Sequence, residues 1–277
     1  MKIFKKALAI MSLALAIAPQ VHAAEINIGG VVFDPDYVDG PDNDFIAGFN
    51  FTQWFSTTST AKRVLNNYEN AVAINAVFGA VQASNTDTGA TGYYLQGGGK
   101  FVRVNDTTND FSTGFGVLDS FCPGCQLTYA FGGIGLNKDQ TFDISNAWAQ
   151  MYVDRSTAYQ TPINSSADAA TLLDGDVWLD FTFKSLGFTA GHVQNGTVSA
   201  ELEVASGVAE FNFLPSKLFY TATTFFGSNI VPPHLNTAKY ATGGTGSLIG
   251  NTVPEPGTIA VLGLGLLGLA LSRRRKV

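Results

Sequence analysis

Five aspartates crowd into a short stretch near the start of the chain, where together they could hold a hard cation. They are Asp34, Asp36, Asp39, Asp42 and Asp44. Negative charges this close repel one another, and Ca²⁺ would relieve the repulsion because it prefers oxygen ligands. The spacing does not match an EF-hand loop, since Val38 falls at the third ligand position and no glutamate closes the loop. The sequence therefore favours a solvated Asp/Pro/Gly turn between two strands, with a calcium site as the alternative.

Cys122 and Cys125, the only two cysteines, have the Cys-x-x-Cys spacing of a redox motif. A redox-active cysteine of this kind needs a helix N-terminus to lower its thiol pKa. Residues 126–131 alternate as a strand does, and the intervening Pro-Gly suits the centre of a turn. We therefore predict a structural disulfide that closes this turn. A zinc site is the alternative, and it would have to recruit the distant His192 and His234.

Catalytic signatures are missing from the sequence. It contains no Gly-x-Ser-x-Gly, no His-Glu-x-x-His and no phosphate-binding glycine loop. Glu201 and Glu203 could imitate a glycosidase carboxylate pair, but strand alternation explains them as a polar face. Tryptophans 54, 148 and 178 could stack on sugars, although buried aromatic residues are the usual case. We predict no enzymatic activity.

Charge is distributed unevenly along the 277 residues, whose net charge is −6. Seven of the 16 basic residues lie in the first six and last five positions. Without these seven residues and without Glu255 of the C-terminal segment, nine basic residues stand against 21 acidic ones, or about −12, with no basic cluster. This balance argues against nucleic acid as a partner and against docking of the central region on anionic lipid.

Ten short segments rich in β-branched and aromatic residues predict strands, because Gly, Asn, Asp and Ser clusters separate them. The segments are Glu25–Phe33, Phe45–Ser56, Ala71–Gln82, Tyr93–Val104, Phe115–Leu118, Leu127–Phe131, Ala147–Tyr152, Val177–Leu186, Thr197–Val204 and Ala209–Leu214. The last two, joined by Ser206-Gly207, predict a hairpin. A helix is predicted only for Ser166–Leu173. This pattern favours an all-β domain, an antiparallel β-sandwich or jelly roll, over a barrel or a βαβ fold.

The first 23 residues have the three parts of a secretory signal. A basic start is followed by an apolar centre from Ala7 to Ala18, and a small-residue site predicts cleavage between Ala23 and Ala24. The apolar centre is shorter than the ~20 residues that span a bilayer. We therefore predict a signal peptide at residues 1–23 and a secreted β-domain at residues 24–251.

The last segment combines helix-breaking prolines, an apolar run and a basic stop. Pro254, Glu255 and Pro256 precede apolar residues 257–272. A helix of that length measures roughly 24 Å, short of the ~30 Å hydrocarbon core. The basic stop is formed by Arg273, Arg274, Arg275 and Lys276. These charges predict a single membrane helix with a cytoplasmic C-terminus and an external β-domain.

Residues 252–277 resemble the PEP-CTERM sorting domain of Gram-negative bacteria, with Pro-Glu-Pro, helix and basic cluster in the same order. The resemblance implies an exosortase, a membrane enzyme that acts near Pro254, Glu255 and Pro256. It also implies an exported protein, anchored first in the inner membrane and often linked to exopolysaccharide or biofilm. We therefore expect a structural or adhesive protein of the cell surface or extracellular matrix. A carbohydrate-binding module and a matrix-polymer hydrolase are the alternatives.

Overall fold

Antiparallel strands make up most of the part of the chain that the structure describes. The computed structural model describes residues 25–37, 44–82, 87–108, 114–159, 163, 165–193, 195–213, 219–225 and 241–253. Strands account for 54% of these residues. They are β1 (Ile26–Ile28), β2 (Val31–Phe33), β3 (Phe45–Ser56), β4 (Ala90–Val104), β5 (Thr107–Thr108), β6 (Gln126–Asn137), β7 (Phe142–Asp143), β8 (Trp148–Asp154), β9 (Asp176–His192), β10 (Asn195–Ser206), β11 (Phe219–Phe225) and β12 (Ala241–Gly250). The helices are α1 (Ile74–Gln82) and α2 (Ser166–Ala170), with 3₁₀ turns at Tyr68–Asn70 and Glu210–Asn212.

Ten of the strands form one sheet that closes on itself. Its order is β5-β4-β3-β12-β11-β10-β9-β8-β6-β7, and β4 also pairs with β6. Eight strands therefore make a closed antiparallel ring: β3, β4, β6, β8, β9, β10, β11 and β12. Strands β1 and β2 form a separate hairpin. The prediction of an all-β antiparallel domain is confirmed, but the strands do not divide into the two stacked sheets of a sandwich.

Three consecutive glycines allow β4 to hold a strand on each side at close range. Gly99 pairs with Phe51 of β3 and also with Tyr129 of β6. A Cβ atom on Gly99 would overlap the backbone of Asn50, and one on Gly98 would overlap the Tyr129 carbonyl. Glycine inside a strand often marks such a close backbone approach. The Gly97–Gly99 run is thus the place where the sheet closes.

The two faces of the ring carry different clusters. Phe49 and Phe51 of β3 lie on the inner face with Phe101, Met151 and Leu202 from other strands. On the opposite face of β3, Trp54 belongs to a second hydrophobic cluster. Its members are mostly aromatic and include Tyr68, Trp148, Tyr152, Tyr159 and Leu172. Successive side chains of a strand point to opposite faces, so one strand serves both clusters.

Most predicted strands are present. The bounds of β3 are those predicted, while β4, β6, β8, β9 and β10 contain their predicted segments and extend beyond them, apart from the first residue of Ala147–Tyr152. The predicted segment Glu25–Phe33 is two short strands, because Gly29 and Gly30 form a turn with positive φ angles of 62° and 105°. Strands β5, β7, β11 and β12 were not predicted.

The prediction of a strand at Ala71–Gln82 was wrong, because residues 74–82 form helix α1. Ile74, Val77 and Val81 are buried together in one cluster. Their spacing of three and four residues places them on one helix face. The β-branched content of the segment suggested a strand, whereas the spacing of its apolar residues is that of a helix.

Two further predicted strands are absent. Phe115–Leu118 contributes one isolated bridge, between Gly116 and Pro123. In the segment Ala209–Leu214, residues 210–212 form a 3₁₀ turn, and Leu214 lies outside the described residues. The predicted hairpin with this segment is therefore wrong. Strand β10 pairs instead with β9 and β11, which leaves no free edge for residues 209–213.

The predicted helix at Ser166–Leu173 is confirmed over Ser166–Ala170. The Ser165 hydroxyl caps it by accepting a hydrogen bond from the Asp168 amide at 3.1 Å. The predicted signal peptide and the predicted membrane helix both lie outside the described residues. In the part of the chain that the structure describes, neither α-helix has the length and apolar character needed to traverse a bilayer.

Candidate functional site

The last described residues, immediately before the sorting signal, are fixed to the β-domain. The Thr252 hydroxyl donates a 2.6 Å hydrogen bond to the Pro35 carbonyl, and Thr252 is fully buried. Its backbone forms a bridge with Phe213, and the Val253 amide donates to the Asn212 carbonyl at 2.8 Å. The folded domain therefore extends to the residue that precedes Pro254.

The other residues of the predicted sorting apparatus cannot be placed. Pro254, Glu255 and Pro256 lie outside the described residues, as do the predicted cleavage residues Ala23 and Ala24. The same holds for the basic stop, Arg273, Arg274, Arg275 and Lys276. These remain predictions from the sequence.

Cys122 and Cys125 lie at disulfide-bonding distance, and both are fully buried. Between them, Gly124 has a φ of 67°, and the Cys125 amide donates to the Cys122 carbonyl at 3.1 Å, as in a tight turn. The Phe121 carbonyl accepts a bond from the Val32 amide at 2.8 Å. The pair therefore secures a turn that is attached to the β1–β2 hairpin, which agrees with a structural role.

Asn105 connects the two described ends of the acidic stretch. The Asn105 amide donates to the Asp34 carbonyl at 2.9 Å and accepts from the Ile46 amide at 3.0 Å. The Asp34 carboxylate accepts from the Asp36 amide at 2.9 Å, which is the bonding of a turn. Asp39 and Asp42 lie outside the described residues, so calcium binding remains a prediction. Among the residues with described positions, no three His, Cys, Asp or Glu side chains are grouped to hold a metal.

The remaining candidates from the sequence have structural surroundings. Glu203 forms an ion pair with Lys184 of the neighbouring strand, and Leu202 and Val204 are buried beside it. His192, at the end of β9, is exposed, and His234 is outside the described residues. The three tryptophans are each at most 1% exposed, so their rings cannot stack on a sugar at the surface.

The Ser156 hydroxyl contacts two carboxyl groups, those of Asp154 and Asp174, which the sequence analysis did not associate with each other. Ser156 Oγ lies 2.9 Å from Asp154 Oδ1 and 2.9 Å from Asp174 Oδ2. A hydroxyl has one hydrogen, so both contacts are hydrogen bonds only when one carboxyl is protonated. Burial, together with the negative charge of Asp154, raises the pKa of Asp174. Asp174 therefore keeps its proton up to a higher pH than an ordinary aspartate does. Asp154 and Asp174 lie 20 positions apart in sequence, and no sequence motif predicts that they are close.

A cavity of about 100 Å³ lies inside the ring, and seven of the eight ring strands contribute to its wall. The wall is almost wholly apolar, and phenylalanines of β3, β4, β6 and β9 form much of it. Three polar side chains also line it: Gln53, Tyr129 and Gln150. No charged side chain lies among the described lining residues. The interior therefore favours neutral, apolar contents.

Two of these polar groups already have partners. The Tyr129 hydroxyl donates to the Asn50 carbonyl at 3.2 Å, and burial raises the Tyr129 pKa so that the hydroxyl stays protonated. Gln150 Oε1 accepts from the Tyr152 hydroxyl at 2.8 Å. Gln53 is only 1% exposed, and its Nε2 has no hydrogen-bond partner within the described structure. Sequence reasoning missed this residue, although alternation places Gln53 on the same face as Phe49 and Phe51.

Comparison with known proteins identifies only the end of the chain. Residues 252–276 match a family model described as a PEP-CTERM protein-sorting motif. No curated protein and no solved structure matches the chain. The motif implies that the protein is exported, sorted by an exosortase and processed at the membrane. The resemblance inferred from Pro254, Glu255 and Pro256 is thus confirmed, and the chain carries a PEP-CTERM protein-sorting motif.

Proposed function

We propose that the β-domain is a structural or adhesive component of the cell surface or extracellular matrix, without catalytic activity. In this proposal, a Gram-negative cell exports the protein and first holds it in the inner membrane. Exosortase processing then releases the domain to associate with exopolysaccharide. Because Thr252 is anchored inside the domain, a cut beyond Val253 leaves the closed sheet complete.

One observation supports adhesion above the others: residues 208–211, beside the end of the domain, carry two exposed apolar side chains. Phe211 is 84% exposed and Val208 is 58% exposed. The 3₁₀ turn Glu210–Asn212, which contains Phe211, holds Val253 through the Asn212 carbonyl. Apolar side chains exposed together are typical of interaction surfaces. This segment, residues 208–211, is the surface that we propose contacts the matrix.

Retention at the cell surface tests the adhesive role. Cells expressing Val208→Ser/Phe211→Ser should release more of the processed protein into the medium than cells expressing the natural chain. Val64→Ser is the matched control, because Val64 is 51% exposed and lies outside this segment. Equal retention of the double variant and the natural chain would argue against the proposal.

Two further measurements test delivery and the absence of catalysis. Intact-mass analysis of the surface protein should give a chain that lacks residues 1–23 and the segment after Pro-Glu-Pro. A C-terminus intact to Val277 would indicate a permanent anchor. Incubating purified protein with the matrix polymer should release no reducing ends, and release above a heat-inactivated sample would favour a hydrolase.

A further inference from the structure

We propose that the cavity inside the ring is a binding site for one small, neutral, mostly apolar molecule with a single hydrogen-bond acceptor. In this site the Gln53 side-chain amide donates to the acceptor, which we take to be a ketone or ester carbonyl. The apolar wall surrounds the rest of the molecule. This binding is separate from sorting and from the adhesive surface.

Gln53 supplies the first argument. A buried donor without a partner costs free energy that a hydrogen bond restores. Gln53 Nε2 is in this state, on a side chain that is 1% exposed and lines the cavity. The other polar side chains of the described wall, Tyr129 and Gln150, are engaged with Asn50 and Tyr152. An acceptor brought by a ligand would therefore pair with Gln53.

A water molecule suits the site poorly. Ordered buried waters make about three hydrogen bonds to polar groups around them. Here most of the described side chains that line the cavity are apolar, including Phe49, Phe51 and Ala200. A carbonyl compound needs one donor and otherwise apolar contacts, and this wall provides that combination.

Size and architecture define the ligand further. Rings of about eight strands have interiors that side chains just fill or that hold one small ligand. The cavity of about 100 Å³ compares with an engineered apolar cavity of about 150 Å³ that binds benzene. Because this cavity is the smaller of the two, a four-membered ring with one carbonyl oxygen is a suitable probe. A charged molecule is excluded because it would lose its hydration.

The test compares cyclobutanone with methylenecyclobutane, which has the same shape and no acceptor. Saturable binding of both to the purified full-length protein is measured by ligand-observed NMR titration. Gln53→Leu should reduce the preference for cyclobutanone over methylenecyclobutane by roughly two- to tenfold, the range for one net hydrogen bond. Gln96→Leu is the matched control. Gln96 is equally buried and its Nε2 also lacks a partner, but it does not line the cavity.

A second variant separates binding from stability. Ala200 lines the cavity, so Ala200→Leu should fill it and abolish saturable binding of both probes. Thermal unfolding of each variant confirms that it is folded. The proposal is overturned if the natural protein binds neither probe, or if Ala200→Leu binds them unchanged. An equal preference in Gln53→Leu and the natural protein would overturn the role of Gln53.

Discussion

Thr252 joins the folded domain to the sorting motif, and replacing it with valine should loosen that junction measurably. Valine has nearly the same shape as threonine but lacks the hydroxyl that donates to the Pro35 carbonyl at 2.6 Å. Because Thr252 is fully buried, the carbonyl would lose a partner that water cannot easily replace. Such a loss costs about 1–3 kcal/mol.

Hydrogen exchange at one amide reports this change directly. The Val253 amide, which donates to the Asn212 carbonyl, exchanges only when the junction opens. A loss of about 1.4 kcal/mol raises the open population tenfold. Thr252→Val should therefore speed exchange at Val253 roughly tenfold. The Lys138 amide donates to the Gly89 carbonyl, and both residues are far from Thr252 in sequence. It should exchange at the same rate in Thr252→Val as in the natural protein.

Thr252→Ser is the control, because it keeps the hydroxyl and removes only a methyl group. Its effect on Val253 exchange should be much smaller than that of Thr252→Val. Equal acceleration in the two variants would show that any change at Thr252 loosens the junction and that loss of the hydrogen bond is not the specific cause. An exchange rate in Thr252→Val within twofold of the natural rate would refute the reasoning altogether.

Three further predictions concern the domain. Asn105→Ala should lower the free energy of unfolding by about 2–4 kcal/mol in urea titrations, since one buried and one half-buried backbone group lose their partner. Asn137→Ala removes only an exposed side-chain hydrogen bond to Thr141 and should cost under about 0.5 kcal/mol. The pKa of Asp174 is raised in the native state. At a pH just above the ordinary Asp pKa, the unfolded state has therefore lost the Asp174 proton while the native state still holds it. Stability from this group therefore falls as pH rises through that window, and Asp174→Asn should gain stability relative to the natural protein over the same range; parallel pH profiles would contradict this. Deleting residues 254–277 should leave cooperative thermal unfolding intact, whereas deleting 241–277 removes β12 from between β3 and β11 and should abolish it.

Strands were predicted best from the sequence where aromatic and β-branched residues are concentrated. Strand β3 has the bounds predicted from its run of aromatic residues and threonines. Strand β12 was missed because Ala241–Gly250 is rich in glycine and threonine and has few large apolar residues. It forms because β3 and β11 both offer backbone partners, and β3 lies almost 200 positions away in sequence. Local composition does not contain this information.

Closure of the sheet could not be predicted from the sequence either, because it also depends on pairing between distant strands. Gly97–Gly99 has two interpretations in sequence: a bend between strands, or a strand that another backbone approaches closely. Only the simultaneous pairing of β4 with β3 and β6 decides between them. A sandwich and a closed ring share the same alternating strands and turns, so the count of strands could not distinguish the two.

Closure of the sheet also decides whether the Gln53 side chain is solvated or buried. In sequence, Phe49, Phe51, Gln53 and Phe55 alternate along one face of a strand. One glutamine on such a face would be ordinary at a sheet edge, where water could reach its amide. Once the ring closes, that face becomes the interior, and the glutamine becomes an unsatisfied donor against an apolar wall. A single polar residue on an apolar strand face is therefore ambiguous until the topology is known, because the same amide is either solvated or available to a ligand.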